Sequence, residues 1–189
     1  MSQRKKIVLA ITGATGAIYG VELLKALRNA GVEIHLMISP WAEVTLAEET
    51  DYSLQEVKQM ADHFHAAGDL AAGPASGSFV HHGMVVAPCS MKTLAAISHG
   101  LADNLISRSA DVCIKEKRPL ILLVRETPLS AIHLENMLRL ARLGVTIMPP
   151  VPSFYHRPVH ISDLISQTTG RVLDMLGLEN MLVKRWQQT

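Results

Sequence analysis

The sequence predicts an α/β fold: a three-layer, doubly wound, Rossmann-like or flavodoxin-like, mostly parallel sheet with helices on both faces. Three observations predict it. Short apolar runs alternate along the chain with segments of helical periodicity. The runs are continuous rather than alternately apolar and polar, as expected of strands buried on both faces. The first run, Ile7-Val8-Leu9-Ala10-Ile11, leads directly into a glycine turn, Thr12-Gly13-Ala14-Thr15-Gly16-Ala17-Ile18-Tyr19-Gly20, and then into an amphipathic segment, Val21 to Ala30.

Taken in order, the strands are expected at Ile7–Ile11, Glu33–Ile38, Met84–Ala87, Leu120–Val124 and Val145–Met148. Helices are expected over 17–30, 41–49, 53–62, 91–99, 103–117 and 130–143, with a last one near 161–176. Ala66 to Ser78, rich in Ala, Gly and Ser, reads as a loop. There is no internal repeat and no low-complexity linker, so residues 1–189 read as one domain.

Composition narrows the function classes. Hydrophobic residues make up 48% of the 189 residues and the formal net charge is +1, which argues against a nucleic-acid binder driven by phosphate contacts. No stretch approaches the roughly 20 apolar residues that span a bilayer, and no signal-like leader is visible, so no membrane partner and a cytoplasmic location are expected. Cys89 and Cys113 form neither a C-x-x-C pair nor a disulfide framework. Cys89 reads as an inert buried thiol rather than a nucleophile. Neither His81-His82 nor His63-Phe64-His65 has a recognisable zinc spacing, and no metal site is expected. An apolar chain with few aromatics points to self-association.

In open parallel sheets ligands bind beyond the carboxyl ends of the strands. The glycine turn after the first strand offers backbone N–H groups and a helix start to an anion, and so reads as a phosphate holder. Its G-x-x-G-x-x-x-G spacing matches neither the dinucleotide fingerprint nor a Walker A loop. Ser39 closes the second strand where NAD-binding folds place Asp or Glu, which favours a mononucleotide such as FMN. Ser90, Met91, Lys92 and Thr93 open the helix after the third strand and suit a phosphate or a flavin edge, with ordinary N-capping as the alternative. Arg125 follows a buried strand, so its charge is expected to meet an anion or a carboxylate. Arg108 and Lys115, seven apart, share a helix face. Lys117 and Arg118 read as surface ion pairs. Glu48-Glu49-Thr50-Asp51 places acid at a helix C-terminus, where it is electrostatically unfavourable, which marks one of these residues for a functional role.

These motifs, with Pro74-Ala75-Ser76-Gly77-Ser78, Pro88-Cys89-Ser90-Met91-Lys92-Thr93, Leu105-Ile106-Ser107-Arg108, Lys115-Glu116-Lys117-Arg118-Pro119, Arg125-Glu126-Thr127-Pro128 and Phe154-Tyr155-His156-Arg157-Pro158, resemble those of the UbiX/Pad-type flavin prenyltransferases. The likeness runs nearly end to end, through Trp186. It implies transfer of a dimethylallyl group from dimethylallyl monophosphate to N5 and C6 of reduced FMN, giving prenylated FMN for a separate UbiD-type decarboxylase. It also implies residue roles. Lys115, Tyr155 and Arg171 would hold the leaving phosphate, with Arg125 nearby. Trp186 would shield an allylic cation. Glu49 would shuttle protons and Thr15 would relay near N5. FMN would rest on Gly13, Ala14, Thr15, Ser39, Ser90 through Thr93 and Arg125, with Arg108 and Glu126 in support. Thr15 stands where the family often has serine. The family's dodecamers, with sites at subunit junctions, would let Glu49, Tyr155 and Arg171 converge from different chains.

Overall fold

The computed structural model describes residues 4–186. Six parallel strands form one sheet in the order β3-β2-β1-β4-β5-β6. They are β1 (Lys6–Ile11), β2 (Glu33–Ile38), β3 (His63–Ala66), β4 (Met84–Cys89), β5 (Leu120–Val124) and β6 (Thr146–Ile147). The helices are α1 (Ala17–Asn29), α2 (Pro40–Glu49), α3 (Leu54–Gln59), α4 (Met91–Ser98), α5 (Leu105–Lys115), α6 (Ala131–Arg142) and α7 (Ile161–Met175). The strand order reverses between β1 and β4, which is the switch point where such sheets open a ligand crevice.

Period-two alternation along the strands divides the core into two layers. Ile7, Leu9 and Ile11 of β1 pack with Leu24 and Leu27 of α1 and Val172 and Leu173 of α7. Val8 and Ala10 face the other way, among Leu94 of α4, Ile106 and Ala110 of α5, and Leu140 of α6. All of these side chains are almost fully buried. At about 1.5–3 kcal/mol for each large apolar side chain, this burial is the main force holding the three layers together.

The structure corrects four sequence expectations. The helix expected over 53–62 stops at Gln59, and the chain turns into a strand, β3, that the sequence reading omits. β3 is an edge strand whose residues are exposed or half-buried, so His63-Phe64-His65-Ala66 carries no apolar run. The strand placed at 145–148 pairs only at Thr146 and Ile147. The loop placed at 66–78 holds the last residue of β3 and a 3-10 turn, Gly73–Ala75. Among the described residues no helix is long and apolar enough to cross a membrane.

Candidate active site

Four neighbouring strands, β2, β1, β4 and β5, end side by side, and the expected binding residues follow their ends: Ser39, Gly13 to Gly16, Ser90 to Thr93, and Arg125. The switch point is tied shut by Thr12. Its hydroxyl donates to the Pro88 carbonyl at 2.7 Å and accepts from the Ser90 N–H at 2.9 Å. This buried threonine therefore joins the ends of β1 and β4 rather than facing a ligand.

The glycine turn is shaped by close approach. Gly16, the N-cap of α1, adopts φ 95°, a left-handed conformation that side chains disfavour. A Cβ on Gly13 would overlap the Cβ of Trp41, so the turn lies directly against α2. Trp41 is itself 70% exposed beside that turn and was not singled out from sequence.

An anion does sit at the start of α1, but it belongs to the chain itself. Glu49 accepts hydrogen bonds through Oε2 from the N–H groups of Gly16 at 2.7 Å and Ala17 at 3.0 Å. The carboxylate that is unfavourable at the C-terminus of α2 is thus favourable at the N-terminus of α1. This corrects the expectation that those donors are held open for a phosphate. Free helix starts remain nearby. Ser39 caps α2 by accepting from Ala42 N–H, and Ser90 caps α4 by accepting from Thr93 N–H. The hydroxyl of Ser90 also donates to Thr93 Oγ1 at 3.1 Å. Each cap satisfies one donor, and the first-turn N–H groups of α4 at Met91 and Lys92 have no acceptor within the helix and lie at the positive end of its dipole. A phosphate-bearing mononucleotide fits this donor set.

Thr15, Gly16, Tyr19, Arg125 and Glu126 line a cleft of about 500 Å³, closed on one side by Pro149, Pro150, Val151 and Pro152. Arg125 is exposed and, among the described residues, forms no ion pair, so of the anion or carboxylate expected for it those residues supply no carboxylate. Burial raises the pKa of Tyr19, which keeps its hydroxyl neutral. Burial also pushes the Cys89 thiol far up, and Cys113 up to about 12, leaving both thiols unreactive at neutral pH.

The expected phosphate clamp is divided. Tyr155 stands edge-to-face on Trp186, with ring centroids 5.4 Å apart, and its hydroxyl accepts from the buried Gln167 Nε2 at 2.6 Å. Arg171 and Arg185 share Asp174, at 3.0 Å each. Hydrogen bonds from Arg185, then Asn180, hold the Asp174 carboxyl below its ordinary pKa. Tyr155, Arg185 and Trp186 line a second cleft of about 710 Å³.

Lys115 lies elsewhere, at the end of α5, paired with Glu116 and packed against Gly77. Arg108, one face-repeat earlier on α5, donates to the Ala75 carbonyl at 3.1 Å and pairs with Asp111. Arg118 is not the surface ion pair expected of it. It donates to the carbonyls of Gly77 and Phe79 at 2.6 and 2.7 Å and pins the same loop. One protomer therefore groups Tyr155 with Trp186, links Arg171 to that cleft through Asp174 and Arg185, and groups Arg108 with Lys115; among the described residues no hydrogen bond or ion pair joins Lys115 to Tyr155.

A doubly wound sheet with capped helix starts at its switch point and a free arginine over the crevice defines a mononucleotide-binding α/β protein. The flavoprotein family model matches residues 1–176, and the chain belongs to that family, in its UbiX-type flavin prenyltransferase branch. The chain is 52% identical over 186 residues to the flavin prenyltransferase UbiX of Escherichia coli K12, covering 97% of this chain and 98% of that one. Among solved structures, AnUbiX (PadA1), in complex with FMN and dimethylallyl pyrophosphate, superposes with a TM-score of 0.97 at 53% identity, covering 99% of this chain and 100% of that one. A dodecameric FMN-dependent UbiX-like decarboxylase from Escherichia coli O157:H7 superposes at 0.95 with 52% identity, over 97% and 100% of the two chains.

Proposed function

We propose that the protein is a flavin prenyltransferase that moves a dimethylallyl group from dimethylallyl monophosphate to N5 and C6 of reduced FMN. The observation that carries this reading is the row of four strand ends, with capped helix starts and an unpaired arginine, in a chain so similar to the AnUbiX complex. Gly13, Ala14, Thr15, Ser39, Ser90, Met91, Lys92, Thr93 and Arg125 would hold FMN, with Arg108 and Glu126 in support. When bound, reduced FMN supplies the nucleophilic nitrogen and the ring carbon that accept the prenyl group.

The chain's own groups handle charge and protons. Lys115, Tyr155 and Arg171 would meet the charge that develops on the departing phosphate, the electrostatic contribution that matters most when a leaving group is an anion. Trp186, edge-on to Tyr155, would offer an aromatic face to an allylic cation and exclude water. Glu49 would carry the proton at N5, and Thr15 would relay it through its hydroxyl.

Because Lys115 stands apart from Tyr155 and Arg171 within one protomer, the clamp is completed between subunits. A homododecamer, the state named for the Escherichia coli O157:H7 protein, supplies such junctions. Exposed apolar side chains support self-association, among them Ile132, Leu134 and Leu138 on α6 and Phe154 and Met181 near the second cleft. The same reading takes residues 1–189 as one cytoplasmic domain and passes prenylated FMN to a UbiD-type decarboxylase.

Anaerobic incubation with reduced FMN and dimethylallyl monophosphate, followed by mass analysis of the released flavin, tests the assignment. A flavin heavier by one five-carbon prenyl unit supports it, and unchanged flavin contradicts it.

A further inference from the structure

We propose that Glu33, His35 and His63 form a zinc-binding site at the β2–β3 edge of the sheet, separate from the strand-end crevice. Among the described residues they are the one His/Cys/Asp/Glu group whose ligand atoms all lie within 4.8 Å of one another. The chain builds the site by strand pairing. His35 of β2 stands directly opposite His63 of β3, with their rings stacked at 4.5 Å and 20° between planes; for both Nε2 lone pairs to meet one ion the half-exposed His63 ring turns out of this stack. Glu33 lies two residues before His35, hence on the same face. Both imidazole Nε2 atoms converge on one carboxylate oxygen, Glu33 Oε1, at 3.1 Å from His35 and 3.3 Å from His63. Ligand atoms around a tetrahedral zinc at about 2.0–2.1 Å are about 3.3 Å apart, which the two His–Glu33 separations match, and rotation of His63 sets the remaining one.

The surroundings fit as well. His35 is buried, and its Nδ1 lies 3.0 Å from His65 Nε2. With metal on Nε2 the His35 ring hydrogen sits on Nδ1 and is donated to His65, the outer hydrogen bond that orients zinc-ligating imidazoles. Phe79 closes the inner side edge-on to His35 at 4.8 Å. His63 is half exposed and gives the ion a way in. The fourth position is left to water. Lys6 is the resident competitor: its ammonium contacts the same Glu33 oxygen at 3.2 Å, and it must swing to solvent when the metal enters. Two imidazoles, borderline donors, with one carboxylate oxygen make a ligand set that zinc accepts. Glu33 precedes Ser39 by six residues, about 20 Å along an extended strand, so the metal would not touch the crevice.

The test is zinc titration of the tag-free, chelator-treated full chain by calorimetry, with X-ray absorption on the loaded protein. The expected result is one zinc per chain with two imidazoles and a carboxylate in its shell. His63→Ala, at an exposed edge position, is expected to weaken binding at least about 100-fold, His65→Ala by about 10–100-fold, and Lys6→Ala to tighten it several-fold. Absence of stoichiometric binding at millimolar zinc would overturn the proposal. So would binding that His63→Ala and Glu33→Gln both leave unchanged.

Discussion

Around the ends of β1, β2, β4 and β5 every candidate position hangs on buried backbone. Around Tyr155, Arg171 and Trp186 the groups are exposed and tied chiefly to one another. Gly16, Ser39 and Ser90 hold their places because the strands before them are fully buried and the helices after them are capped. Tyr155 is held by Gln167 and Trp186, Arg171 by Asp174, and Lys115 by its neighbour Glu116. On the proposed function, the difference teaches that one protomer supplies a row of strand-end positions for the flavin but only a fraction of the phosphate clamp.

The largest effect is expected at Glu49, which accepts from the start of α1 and, on the proposed function, carries the proton at N5. Glu49→Gln keeps an acceptor for the N–H groups of Gly16 and Ala17, so denaturant unfolding is expected to shift by no more than about 1 kcal/mol. Loss of the proton carrier is expected to lower the rate by about 100- to 10,000-fold. A stability loss in proportion to the activity loss would make Glu49 a cap and nothing more.

Next comes the clamp. Arg171→Ala and Lys115→Ala are each expected to cost about 100-fold or more in kcat/KM for the allylic phosphate while leaving FMN affinity unchanged. Equal loss of FMN affinity would erase the distinction between the two regions.

The smallest effect belongs to Asp174, which positions Arg171 and Arg185 without touching substrate. Asp174→Asn is expected to raise the KM for the allylic phosphate by about 10-fold with little change in kcat. Asp174 also carries a pH signature. Its folded pKa lies below the ordinary carboxylate value, so its stabilising contribution is complete above about pH 4 and is lost as pH falls through the lower folded value. Acid titration of stability is expected to flatten in Asp174→Asn over that window. An unchanged acid limb would mean that the ion pairs carry no stability.

How much was legible in the sequence follows the same division. Apolar runs and helix caps read directly as strands and helices, so the sheet, its two covered faces and the residues at its ends were predictable. β3 was not, because an edge strand has only one neighbour and His63-Phe64-His65-Ala66 therefore needs no apolar run. The role of Thr12 as a tie across the switch point, and that of Arg118 as a loop pin, depend on carbonyls that are distant in sequence. The Glu33–His35–His63 cluster was invisible for the same reason: its ligands are assembled by strand register and not by spacing along the chain. That Glu49 was a misplaced acid could be read from helix polarity, but its partner, the start of α1, could not.

The claim that the clamp is shared between subunits is tested most directly by mixing. Lys115→Ala and Arg171→Ala chains, each inactive alone, would be co-expressed with distinct tags and the mixed oligomers purified. If Lys115 and Arg171 of one site come from different chains, random assembly restores about a quarter of the wild-type sites, and about that share of prenylation activity is expected. Mixed oligomers that stay as inactive as the separate variants would place all the clamp residues of a site on one chain and contradict the account.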